Sequence, residues 1–155
     1  MKISIIAALA ATTLLFSCQS NPEEASSAHD EHNHQSMDAA DMDPANGRVY
    51  FVNIADQDTL ENPVYIEFGV EGMEVRPAGE IVEGTGHHHI LIGRKHIPTG
   101  ETVPADNENI HYGGGQTSDT LVLPQGDVVL ALQFANGVHA SYGEKMSTAI
   151  MVHVK

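Results

Sequence analysis

The chain has 155 residues, 41% of them hydrophobic, and carries seven Lys/Arg against twenty-one Asp/Glu, a formal charge of −14 at pH 7. That balance excludes a nucleic-acid partner, because neutralising phosphates needs clustered Lys and Arg, and it leaves cations as the charged ligands the chain tolerates. A single cysteine excludes any internal disulfide.

The first element is a leader. Lys2 precedes an apolar run from Ile3 to Phe16 and then Ser17-Cys18, the layout of a secretory signal and too short for a transmembrane helix. Leu15-Phe16-Ser17-Cys18 looks like a bacterial lipobox, so residues 1–17 are expected to be a lipoprotein signal peptide. Cys18 is then the lipid-bearing first residue of a chain anchored to, rather than spanning, an envelope membrane. Gln19 is not an acidic retention signal, which by analogy with other bacterial lipoproteins points to the outer membrane.

Residues 19–47 hold seven Asp/Glu, no Lys or Arg and no aromatic residue. Such a segment has too little apolar surface to offset its ordering entropy and reads as a flexible acidic tether. Within it His29, His32 and His34, followed by Met37 and Met42, form an auxiliary group able to chelate soft or borderline cations.

From Arg48 the pattern changes to short alternating or wholly apolar segments punctuated by Gly, Pro, Asn and Asp, which predicts one all-β domain over residues 48–155: an immunoglobulin-like antiparallel β-sandwich. The predicted strands are Arg48 to Ile54, Pro63 to Val70, His88 to Gly93, Thr120 to Leu123, Asp127 to Phe134 and Ser147 to Val154. In the second, Val64, Ile66 and Phe68 share one face and Tyr65 and Glu67 the other, separating a core side from a wet side. No segment has helical periodicity.

The chemistry concentrates in His87-His88-His89, ahead of the apolar run Ile90-Leu91-Ile92, and in His111-Tyr112-Gly113-Gly114-Gly115 about twenty residues later. In a strand His87 and His89 would share a face with Leu91, and His88 one with Ile90 and Ile92; a register shift of one residue would exchange those roles, so all three are candidate ligands. His111 precedes a glycine run suited to a tight loop that can fold back over the triple. His139 and Met73 are further candidates. Imidazole with thioether favours copper, and histidine alone also suits zinc. His96, in a Lys-Pro loop, and His153, between two valines, are left out.

Arg48-Val49-Tyr50-Phe51-Val52-Asn53, Gly72-Met73, Arg76-Pro77-Ala78-Gly79, the Gly86 to Ile92 block, His111 to Thr117 and Met146-Ser147 together resemble the DUF4399 family over essentially all of residues 48–155. The resemblance implies an extracytoplasmic β domain with a recurrent histidine pattern; the family is named for having no established function. Members often carry His-Ile-His ahead of the glycines and His-x-Pro-His near the end, whereas here Asn109 takes the first histidine's place and the later stretch reads Val138-His139-Ala140-Ser141-Tyr142.

These readings give a lipid-anchored envelope protein that binds copper, or less readily zinc, for sequestration or delivery through its histidines. The alternatives are an immunoglobulin-like interaction or structural module without metal, and a copper redox enzyme. For the last, the order His87-x-His89, His111, His139 is similar to that of the copper ligands in copper/zinc superoxide dismutases, but there is no disulfide pair, no evident second cluster and no close match in spacing.

Overall fold

A computed structural model describes residues 47–155; the expected signal peptide, Cys18 and the tether histidines His29, His32 and His34 lie outside those residues. The described residues contain nine strands, one 3-10 turn at Glu144–Met146 and no α-helix. The strands are β1 (Arg48–Phe51), β2 (Thr59–Leu60), β3 (Val64–Glu71), β4 (Glu74–Val75), β5 (Thr85–Ile92), β6 (Asn109–His111), β7 (Ser118–Leu121), β8 (Gly126–Ala135) and β9 (Ser147–Val154).

They form two sheets in a sandwich-like arrangement. One has the order β1-β3-β7; the other runs β2-β9-β8-β5-β4, with β6 also paired to β5. The long pairings are antiparallel, as expected, but two short edge additions, β2 on β9 and β4 on β5, are parallel. Each contributes only two residues, enough to cap an edge without the crossover that a long parallel pair needs.

Strand alternation explains the main core. Val64, Ile66 and Phe68 of β3 face Ile90 of β5 and Val128, Leu130, Leu132 and Phe134 of β8, and these side chains make one buried cluster between the sheets. Tyr65 stays exposed on the opposite face, as period-two alternation requires.

Strands β5 and β8 are buried on both faces along most of their length, so neither shows the alternation of apolar and polar residues of a one-sided strand. On the outer face, away from the first sheet, Leu91, Ala131 and Ala135 pack with Ile97 and Val103 in a second, smaller core. Ile97 and Val103 come from the irregular segment after β5. Gln133 ties this cover down: its side-chain carbonyl accepts from the Ile97 amide at 3.0 Å, and its amide donates to the carbonyls of Gly143 and Met146, each at 3.1 Å. The outer layer of β5 is therefore enclosed, and two of the three consecutive histidines lie in it.

Candidate metal centre

Strand β5 begins at Thr85, two residues before the triple, so His87, His88 and His89 lie inside the strand rather than at its mouth, and all three are fully buried. Antiparallel register places His87 opposite Ala135, His88 opposite Phe134 and His89 opposite Gln133. The face assignment follows directly. His88 projects into the main core, edge-on between Phe68 and Phe134 at centroid distances of 5.0 and 4.9 Å, while His87 and His89 project outward with Leu91.

His111 is the last residue of β6, a strand that the glycines after it concealed in the sequence. It stands directly across from His89, and cross-strand partners in a sheet share a face. The His111 ring folds back over Gly113, where a Cβ would collide with it, so this glycine is required by the ring's position. The Tyr112 amide donates to the His88 carbonyl at 3.1 Å, extending the contact with β5 by one residue past the strand.

His139 arrives from the loop after β8. Its φ of 70° is left-handed, a conformation uncommon for a side-chain-bearing residue and costing on the order of 1–3 kcal/mol. The Asn136 side chain enforces the turn: its Oδ1 accepts from the amides of Val138 at 3.1 Å and Ala140 at 2.9 Å. The His139 amide donates to the Asn136 carbonyl at 2.9 Å, and the His139 carbonyl accepts from the Val103 amide at 2.9 Å.

The four imidazoles converge. His87 Nε2 lies 3.0 Å from His89 Nε2, and His111 Nε2 lies 3.1 Å from His139 Nε2. Across the pairs, the ring centroids of His87 are 5.0 Å from both His111 and His139, and those of His89 are 5.1 and 6.0 Å away. Ligand nitrogens of His87, His89 and His111 all fall within 4.8 Å of one another, so this group could hold a metal ion. A tetrahedral zinc site with bonds of 2.0–2.1 Å separates its nitrogens by about 3.3 Å, close to the spacing within each pair. His87 and His89 are buried, His111 is exposed and His139 half-buried, which gives the cluster one solvent-facing side.

Burial and mutual repulsion keep His87, His89 and His111 in the form that binds cations. Burial lowers His87 to about 4, with His111 and His139 adding to the effect. Burial lowers His89 further, to about 2, helped by His87 and then by its other neighbours. His111 is lowered as well, by burial and then by His139. Neutral imidazole is the ligand species, so no proton has to be displaced from these three rings at neutral pH.

Two sequence candidates lie elsewhere. His88 is separated from the cluster by strand alternation; both its nitrogens are buried without a hydrogen-bond partner, and burial, then His87, lowers it to about 4. Met73 packs against the main core as apolar filler rather than joining the imidazoles. His153 bonds Asp127 at 2.9 Å on the surface, away from the cluster. The glycine run that includes Gly113 was read from the sequence as a tight loop; sequence reasoning missed Asn136 and Gln133, which hold the His139 turn and the cover, and the Asn136-Gly137 pair, a common turn signal, was the one available clue to them.

No curated protein and no solved structure matches the chain. The family described as a domain of unknown function (DUF4399) matches residues 66–155, a span that includes His87, His89, His111 and His139. The chain belongs to the DUF4399 family.

Proposed function

We propose that this protein is a lipid-anchored bacterial envelope protein that binds a metal ion through His87, His89, His111 and His139, with copper the preferred ion and zinc the second choice, for sequestration or delivery. The observation that carries this reading is the convergence of four rings from three separate segments, with a pair approach of 3.0 Å in the buried half.

The donor set supports the choice of ion. Imidazole nitrogens suit divalent copper and zinc, and for a given nitrogen site copper(II) binds more tightly. With Met73 in the core and the only cysteine at position 18, the domain's cluster offers no sulfur for copper(I). The open side at His111 and His139 suits an ion that exchanges rather than one locked in as a structural staple.

Thermal unfolding of the full chain with copper(II), copper(I) and zinc(II), beside the His87→Ala, His89→Ala double variant, tests the reading. Stabilisation by copper(II) and zinc(II) that disappears in the double variant is expected. Equal stabilisation of both proteins, or of neither, contradicts it. The physiological part requires that copper excess raise expression and that deletion sensitise cells; absence of both effects removes sequestration and delivery even if the ion binds.

A further inference from the structure

Residues 76–84 run between β4 and β5, and both ends are fastened to β5, the strand that carries His87 and His89. At the start, the Arg76 amide donates to the Gly86 carbonyl at 2.7 Å; at the end, the Thr85 amide and hydroxyl donate to the Val82 carbonyl at 3.2 and 2.9 Å. Between these anchors, two consecutive amides reach the residues that follow His111 and precede His139. Ala78 donates to the Gly113 carbonyl at 2.9 Å, two residues after His111, and Gly79 donates to the Gly137 carbonyl at 2.8 Å, two residues before His139.

We propose that this segment is a positioning strap: through the Ala78 and Gly79 amides it sets His111 and His139 against the buried pair, and Gly137 is the residue on which the setting depends. The proposal rests on the metal-binding reading of the same cluster and deepens it. His111, at the end of β6, and His139, in the loop after β8, are far apart in sequence, and their Nε2 atoms meet at 3.1 Å. Sheet pairing through β6 already holds His111 against β5; the strap adds a tie shared by the residues after His111 and before His139, which leaves less of the gathering of their nitrogens to the ion, whose affinity falls with the ordering it must drive.

The steric detail locates the dependence. A Cβ at Gly137 would run into the carbonyl oxygen of Glu80 and lie 2.8 and 2.9 Å from the Glu80 carbonyl carbon and the Gly79 carbonyl oxygen. These are backbone atoms of the strap, so no side-chain rotation relieves the contact, and any added side chain pushes the strap and the His139 loop apart. Neither Ala78, Gly79 nor Gly137 is a metal ligand; each acts through the imidazole two residues from its contact.

The test uses the full chain, with His29, His32 and His34 replaced by alanine in every sample so that bound copper reports on the domain. Zinc affinity and the copper(II) electron paramagnetic resonance spectrum are measured for this protein and for its Gly137→Ala, Ala78→Pro and His139→Ala versions. The strap account expects zinc affinity to fall about 10- to 100-fold in Gly137→Ala, the range typical when a partner that orients a ligand is lost. It also expects the copper spectrum to lose nitrogen couplings and resemble that of His139→Ala. Ala78→Pro, which lacks the amide offered to Gly113, should shift both readouts in the same direction, and it decides the matter alone if Gly137→Ala does not fold. Unchanged affinity and spectrum in the folded variants overturn the strap while leaving the metal site standing. A parent protein that binds neither ion overturns both.

Discussion

The two faces of β5 carry chemically similar side chains and treat them differently. On the inner face His88 alternates with Ile90 and meets only rings, Phe68 and Phe134, with no polar partner for either nitrogen. On the outer face His87 and His89 alternate with Leu91 and meet two more imidazoles. Burial alone therefore does not make a histidine a ligand; what differs is whether the neighbouring segments bring more nitrogen donors or more hydrocarbon. The inner histidine fills space between two sheets, and the outer pair is the floor of a converging set.

The largest effect that would sharpen this contrast is at the outer cover. Replacing Gln133 by leucine removes the side-chain partner of the Ile97 amide and of the Met146 carbonyl, and one of two donors to the Gly143 carbonyl. A loss of roughly 3–5 kcal/mol in urea unfolding is expected. A loss below about 1 kcal/mol would mean that the cover is not held to the sheet by this side chain.

Next comes a pH effect specific to the inner face. Burial holds His88 near 4 in the folded protein against its ordinary 6.5, so between those values the unfolded chain binds a proton that the folded chain refuses. Stability from this group is fully present above about pH 6.5 and declines as pH falls towards 4, by on the order of 3 kcal/mol. His87 and His89 act in the same direction. The His88→Leu variant should flatten the slope of stability between pH 6.5 and 4 without abolishing metal binding. An unchanged slope would show that His88 does not contribute to it.

A smaller effect is expected at the point where the last loop meets β5. The Tyr142 hydroxyl donates to the Thr85 carbonyl at 2.8 Å in a buried setting. Tyr142→Phe leaves that carbonyl unpaired and should cost about 1–2 kcal/mol in unfolding free energy, whereas no change would indicate that the carbonyl finds another donor.

The separation of the two faces was legible from the sequence because it depends only on period-two alternation, and His87, His89, His111 and His139 were all named from the sequence. Several determinants were not legible. Strand β6 is three residues long and runs into glycines, so its pairing to β5, which aligns His111 with His89, leaves no alternation to read. The cover from the segment after β5 has no regular structure, and Ile97 and Val103 gave no sign of packing on the outer face. Met73 read as a candidate ligand because a thioether suits copper, but core packing claimed it.

The central claim is that the outer imidazoles hold the ion and the inner one does not. Comparing the thermal stability of the full chain and its His87→Ala, His89→Ala and His88→Leu versions, each with and without saturating copper(II), addresses it most directly, because only an ion held by the folded state raises stability. At a hundredfold excess over the dissociation constant, the parent chain and His88→Leu should each gain about 2.7 kcal/mol and the double variant nothing. A gain that persists in the double variant, or one that vanishes in His88→Leu, would contradict the account.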